Sequence, residues 1–239
     1  NTHTDVALFL DDRLATRWRW ATDRSATIAD LAAGWPERTP GPGSLKAIVS
    51  TVVPDLAAVY RDWWPGVHVL TAADAALGFT VAVPDPSLIG TDRLAACAGA
   101  VARLGAPVIV IDSGTAATLS VVDAQGRFIG GAIMPGLHTG LLGLLQAAPR
   151  LFDPDLTGAV TDLGQTTADA IRFGTVRGHA GAIAGMIQAG HAAVGAAPVI
   201  GTGGSMPLVA SWIPGLDHIE PDLVLWGLHV IGGRRVGDG

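Results

Sequence analysis

The sequence predicts a duplicated α/β protein whose two halves each present a polar hairpin to a shared cleft. Three observations lead there. Apolar, β-branched runs alternate with helix-spaced segments along all 239 residues. Residues 108–111 are Val-Ile-Val-Ile, the mark of a central strand buried on both faces. An offset of 114 residues superimposes two strand–turn–strand units, placing Asn1-Thr2 on Thr115-Ala116, Leu8 on Val122 and Arg13-Leu14 on Arg127-Phe128. The halves are expected at 1–105 and 106–239, each of ordinary domain size.

In chain order, Val6–Leu10 and Arg17–Ala21 read as strands joined by the polar turn Asp11-Asp12-Arg13. Ile28–Gly34 is a short helix, and Ala47–Val53 is a β-branched strand stopped by Pro54. Leu56, Val59, Tyr60 and Trp63 have helical core spacing within Asp55–Trp64, and Val67–Leu70 is the next strand. Thr91 or Asp92 caps a helix that Gly105 ends after Leu104. Val108–Ile111 is followed by the hairpin strands Leu119–Asp123 and Arg127–Ile133, turning at Gln125-Gly126. Helices are expected at Leu137–Gln146, Thr167–Phe173 and Thr175–Ala193, with glycine at 174 separating the last two. Val199–Ile200 is a strand and Leu223–Val230 the closing helix.

Composition narrows the function. Hydrophobic residues make up 49% and charged residues 15%, so the chain has ample material for a core. The net charge of −6 lacks any basic block, which argues against a nucleic-acid or anionic-membrane surface; phosphate contacts must be local. Residues 128–149 and 178–216 carry no Asp, Glu, Lys or Arg, but their Gly and Pro residues fit a buried core better than a membrane span. No secretory leader is read, and one cysteine, Cys97, fits a small buried residue in a reducing cytoplasm. The seven histidines (3, 68, 138, 179, 191, 218, 229) show no metal-ligand spacing.

Three loops carry candidate chemistry. Asp112-Ser113-Gly114-Thr115-Ala116-Ala117-Thr118 lies where a buried strand ends, the ligand-binding position of open α/β sheets. There Gly114 lets backbone N–H groups approach phosphate, Thr115 offers a hydroxyl, and Asp112 can hold a cation. An ordinary strand-closing turn explains the same residues equally well. Gly90-Thr91-Asp92-Arg93 opens a helix. It is either a plain cap or a carboxylate that takes a hydroxyl proton beside a guanidinium that forks onto a carboxylate. Gly201-Thr202-Gly203-Gly204-Ser205 follows a strand and fits neither the Walker nor the Rossmann spacing.

Together these segments resemble type III pantothenate kinase, of the actin, sugar-kinase and heat-shock ATPase superfamily. Asn1-Thr2-His3-Thr4 is similar to the tail of that family's opening Asp-x-Gly-Asn-Thr phosphate motif, and Ile89-Gly90-Thr91-Asp92-Arg93 to its Gly-x-Asp-Arg substrate motif. Asp112–Thr118 resembles the second phosphate motif and Gly130–Gly136 the strand and loop after it. Gly164-Gln165-Thr166-Thr167 with Ala170-Ile171 and Gly174 resembles the later Gly-x-x-Thr segment, and Thr202-Gly203-Gly204 the nucleotide-side loop. Six modest motifs in the right order, across essentially the whole chain, make the resemblance specific.

The resemblance implies duplicated ribonuclease H-like (actin-like ATPase) domains and ATP-dependent phosphorylation of pantothenate, the first step towards coenzyme A, by a cytoplasmic homodimer. It implies Asp92 as general base, with Gly90, Thr91 and Arg93 holding pantothenate and Thr167 adding a contact near the dimer interface. Asn1, Thr2, His3, Thr4, Asp5 and Thr115 are implied to contact ATP, and Asp112 to carry potassium or ammonium, with magnesium accompanying ATP. Three departures stand out. The chain starts inside the opening motif, at Asn1. Val83 stands where the family has a tyrosine. Asp5 brings a carboxylate to the phosphate loop, where it must be metal-bound or turned outward. The competing readings are a related small-molecule kinase of the superfamily and a regulatory relative of the transcriptional-accessory type.

Overall fold

The computed structural model describes residues 3–36, 39–51, 53–158 and 163–237 and divides into two compact units. The first comprises Asn1–Arg103 with Leu223–Gly239, the second Leu104–Asp222. The closing helix therefore packs with the first unit, although it follows the second in sequence.

The first unit opens with the antiparallel strands β1 (His3–Leu10) and β2 (Arg13–Ala21). Asp11 and Asp12 both take positive φ, 48° and 60°, which suits the twist of a two-residue hairpin turn. Then follow α1 (Ile28–Gly34), β3 (Ile48–Val49), α2 (Pro54–Trp63), β4 (His68–Val69), β5 (Thr80–Val81) and α3 (Thr91–Leu104). Strands β3 and β4 pair in parallel. Helix α1 begins where Thr27 and Asp30 cap each other reciprocally, and Pro54 at the start of α2 loses no helical hydrogen bond. Trp18, Trp35, Trp63 and Trp64 pack as one aromatic cluster with neighbouring ring centroids 5.3–5.9 Å apart. Leu94 to Ala100 of α3 are all buried, Cys97 among them.

The second unit holds β6 (Val108–Ser113), β7 (Ala116–Val122), β8 (Arg127–Pro135), α4 (Leu137–Ala147), α5 (Thr167–Val194), β9 (Val199–Thr202), α6 (Met206–Val209) and β10 (His218–Ile219). Its strands lie in the order β10-β9-β6-β7-β8, with β6, β7 and β8 antiparallel and β10, β9 and β6 parallel. Ile109, Ile111, Leu119 and Val121 form the apolar sheet face onto which α5 packs Ile171, Val176, Ala180, Ile183 and Ile187. The final helix α7 (Leu223–Gly237) returns to the first unit.

The duplication is visible element by element. Shifted by 114 residues, Arg13–Ala21 becomes Arg127–Pro135, so β2 and β8 have identical bounds. Both hairpins also carry a register irregularity near the turn, between Leu8 and Phe9 in one and between Val121 and Val122 in the other. Parallel pairs follow in both units, β3–β4 and β9–β10. Among the described residues the second unit has, beyond this, β6 before its hairpin and two helices, α4 and α5, where the first unit has α1.

Two expectations are corrected. Helix α5 runs unbroken for 28 residues through Gly174, not as two helices. Strands β3 and β4 have two residues each, fewer than the sequence pattern suggests.

Helix α7 is anchored by adjacent arginines. Arg234 donates to the carbonyls of Ala76 and Leu77, and Arg235 meets Asp74 at 2.7 Å. The Asp74 side chain is 4% exposed; it also accepts from the Thr71 amide and hydroxyl and lies 2.9 Å from His68 Nε2. Burial alone raises the Asp74 pKa, but the Thr71 and His68 contacts together bring it below the ordinary carboxyl value. The stabilisation from this ionised carboxylate is thus complete above the ordinary pKa and is lost as pH falls through the depressed one. Asp74→Ala is expected to cost about 1–2 kcal/mol of unfolding free energy near neutral pH, because it removes the one buried acceptor that Thr71, His68 and Arg235 share. Urea unfolding followed by circular dichroism checks this, and the deficit should shrink below about pH 4.

Candidate active site

In the first unit, the backbone turns at Gly90 and enters α3 at Thr91, so Asp92 sits in the first helical turn rather than at a cap. The Arg93 amide bonds back to the Gly90 carbonyl at 3.1 Å and to Asp92 Oδ1 at 2.8 Å. The Thr91 hydroxyl shares a 2.7 Å hydrogen bond with Ser50, beside the end of β3. Asp92 is exposed, whereas Arg93 is half-buried, and burial presses its guanidinium below the ordinary arginine pKa. The segment thus presents an accessible carboxylate beside a cation already partly stripped of water, the state in which an ion pair with a substrate carboxylate gains most.

His3, Thr4 and Asp5, expected in a loop, belong to β1; Asn1 and Thr2 lie outside the described residues. Asp5 is directly opposite Arg19 in the hairpin register, and its Oδ1 meets Arg19 at 2.7 Å and Arg17 at 3.1 Å. Two guanidinium groups therefore neutralise this carboxylate. The Thr4 hydroxyl bonds to that of Thr22 at 3.0 Å.

In the second unit, β6 and β9 run in parallel and end together, Asp112 opposite Thr202. Asp112 is half-buried at this strand end. Gly203, with φ of +99°, lies so close that a Cβ there would run into the Asp112 carboxylate and come within 2.6 Å of the Ser113 carbonyl. That carbonyl accepts from the Ser205 amide at 2.9 Å, tying the glycine loop to the strand-end turn. Gly136 closes from the other side, its amide bonded to the Thr115 carbonyl at 3.0 Å, and a Cβ there would collide with the Gly114 backbone. The same Thr115 carbonyl accepts the Thr139 hydroxyl of α4 at 2.6 Å. The turn 112–115 is a close-packed surface of backbone and small side chains, and its Gly114 amide, expected to approach phosphate, bonds to the Ala116 carbonyl at 3.0 Å.

Thr167 stands elsewhere in this unit, at the first position of α5. It borders a groove of about 580 Å³ between α4 and α5 that is lined mainly by leucines and glycines. Thr175 and His179 follow it at helical spacing along the same wall. His179 Nε2 and the fully buried Ser113 hydroxyl share a 3.1 Å hydrogen bond. Sequence reasoning treated His179 as one of seven unrelated histidines. The signal that finds it is the four-residue periodicity Thr167, Ile171, Thr175, His179, all of them on the groove.

Among the described residues, no helix is long and apolar enough to cross a membrane, and no group of three or more His, Cys, Asp or Glu is placed to hold a metal ion.

Residues 1–189 match the family model for type III pantothenate kinase. The type III pantothenate kinase of Thermomicrobium roseum is 36% identical over 95% of this chain and 92% of its own length. That of Acidiphilium cryptum is 34% identical over 98% and 92%. A solved Campylobacter jejuni structure, described as a conserved Baf-family transcriptional activator, superimposes with a TM-score of 0.64 at 19% identity, covering 94% of this chain and 93% of that one. The Clostridium difficile activator of 2-hydroxyisocaproyl-CoA dehydratase, solved with ADPNP, gives 0.53 at 10% identity, covering 99% and 93%. The fold is the duplicated α/β fold of actin-like ATPases. With the ordered motifs on these strand ends and helix starts, the chain belongs to the type III pantothenate kinase family.

Proposed function

We propose that this protein transfers the γ-phosphoryl group of ATP to the terminal hydroxyl of pantothenate, forming 4'-phosphopantothenate. The observation that carries this reading is Gly90-Thr91-Asp92-Arg93 at the start of α3, an exposed carboxylate next to a half-buried guanidinium, in a chain of this family. Asp92 accepts the hydroxyl proton. Arg93 forks onto the pantothenate carboxylate, and Gly90, Thr91 and Thr167 complete the acceptor contacts. Thr115 and the segment Asn1–Asp5 bind ATP. In a loose phosphoryl-transfer transition state, positioning and charge neutralisation do most of the work, which suits loops with so few charged groups.

The metal-ion part of the reading is supported by the donor set. Asp112 offers one carboxylate among backbone groups, outside any group of three or more His, Cys, Asp or Glu among the described residues. That pattern fits a weakly held monovalent ion, potassium or ammonium, at Asp112, and magnesium that arrives coordinated by the nucleotide phosphates. Both ions supply positive charge against the phosphate oxygens.

A homodimer belongs to the same proposal. Leu142, Leu144 and Phe152 of the second unit are 41–55% exposed, apolar side chains that a second subunit would cover. Trp212, 37% exposed, is partly shielded by the Arg177 guanidinium, 4.0 Å from its ring. The buried Cys97 thiol, outside any disulfide, suits a cytoplasmic setting.

Coupled ADP release over a panel of hydroxyl substrates tests the function: pantothenate should be the preferred acceptor, and a faster unrelated alcohol would overturn the assignment. Arg93→Lys should raise the KM for pantothenate about tenfold with kcat little changed, since an ammonium cannot reproduce the bidentate fork. Steady-state kinetics with pantothenate varied check it.

A further inference from the structure

The strand-end turn of the second unit is held by both helices that flank the groove, α4 and α5. From α4, the Thr139 hydroxyl bonds to the Thr115 carbonyl at 2.6 Å. From α5, His179 Nε2 meets the hydroxyl of Ser113, a side chain with 0% exposure. A buried hydroxyl that loses its partner is costly, so this bond constrains Ser113 and, through it, both neighbours, Asp112 and Gly114. Burial lowers the His179 pKa, so near neutral pH the ring is an uncharged imidazole with one donor and one acceptor nitrogen. Nε2 is committed to Ser113, and Nδ1 is the remaining polar atom of the ring on a wall that is otherwise apolar apart from Thr167 and Thr175.

We propose that His179 is a positioning residue: it holds the strand-end turn 112–115 through Ser113 and ties the conformation of that turn to the contents of the groove. The link rests on the reading above in taking Thr167, on the same wall, as an acceptor contact and the 112–115 turn as a contact for ATP. A ligand that orders the groove also orders His179, and the turn then binds ATP at a lower conformational cost. By reciprocity, bound ATP tightens the groove for its ligand to the same degree.

A mutant cycle with the full-length protein tests the tie, reading the KM for ATP and the dissociation constant of ADPNP with and without pantothenate. Ser113→Ala and His179→Leu should each weaken nucleotide binding about tenfold, and the double variant no more than the worse single one, because all three lack the same hydrogen bond. His179→Gln places an amide nitrogen near the Nε2 position and should recover most of that loss. Pantothenate should tighten ADPNP binding in the wild type and lose this effect in His179→Leu. Independent, multiplying effects of the two substitutions, or nucleotide binding unmoved by His179→Leu, would overturn the proposal. If the leucine variant does not fold, His179→Asn, whose amide falls short of Ser113, takes its place. A wild type that fails to phosphorylate pantothenate counts against the assigned reaction, while the ADPNP cycle without pantothenate still decides the Ser113–His179 tie.

Discussion

Asp92→Asn is expected to lower turnover by about 10²–10⁴-fold while leaving the protein folded, the range that separates a positioned proton acceptor from none. The substitution isolates chemistry from structure. Asn retains an oxygen that can accept the Arg93 amide, as Asp92 Oδ1 does at 2.8 Å, so the start of α3 keeps its local hydrogen bond. What it loses structurally is a negative charge in the first helical turn, worth about 0.3–1 kcal/mol at an exposed site. Asp92 is exposed, so little packing changes. The KM for pantothenate should move far less than kcat, because the proton is transferred only in the transition state. Rates of coupled ADP release at saturating ATP and pantothenate, compared with thermal unfolding curves of both proteins, make the measurement. Wild-type turnover in Asp92→Asn would leave Asp92 as a helix-start residue and nothing more.

How far the sequence foretold this molecule depends on the range over which each feature is determined. Helix α1 occupies Ile28–Gly34 as expected, because Thr27 and Asp30 cap it through contacts three residues apart. The duplicated hairpin was legible for a similar reason: turn residues and alternation are local, and β2 and β8 match to the residue. Gly174 misled because its cost to a helix, about 1 kcal/mol, is a local quantity, whereas the burial of Ile171, Val176, Ala180, Ile183 and Ile187 against the sheet outweighs it and is not. The placement of Asp5 followed the same logic. Its two arginines are 12 and 14 residues away, and only the hairpin register puts Arg19 opposite it. At the candidate site, the strand-end turn could be read from the β-branched run before it, but the bond between Ser113 and His179 joins residues 66 positions apart. No spacing rule reaches that far; only the packing of α5 on β6 brings them together.

Potassium or ammonium should be needed for full activity, and Asp112→Asn should remove both the need and most of the activity. Asp112 ends β6 half-buried, with the Gly203 backbone pressed against its carboxylate and the Gly114 Cβ position 3.5 Å from Oδ1. Glycines at 114 and 203 bring backbone up to the carboxylate, and a single carboxylate among backbone groups binds a monovalent ion without a rigid cage. Sodium holds its hydration shell more tightly and gains less from such a loose oxygen set, so it should substitute poorly. A unit charge about 4 Å from a phosphate oxygen is worth about 4 kcal/mol at the effective dielectric of a partly buried site. Part of that is spent on stripping water from the ion, leaving a loss of about a hundredfold in rate when the ion is withheld. The measurement is ADP release in potassium, ammonium, sodium and tris-only buffers at matched ionic strength, together with ADPNP binding in the same four. Potassium and ammonium should raise both activity and nucleotide affinity in the wild type and neither in Asp112→Asn. A merely structural Asp112 would instead lower the unfolding midpoint while the variant kept its response to potassium. Equal rates in all four buffers, with pantothenate phosphorylation confirmed, would remove the cation from Asp112.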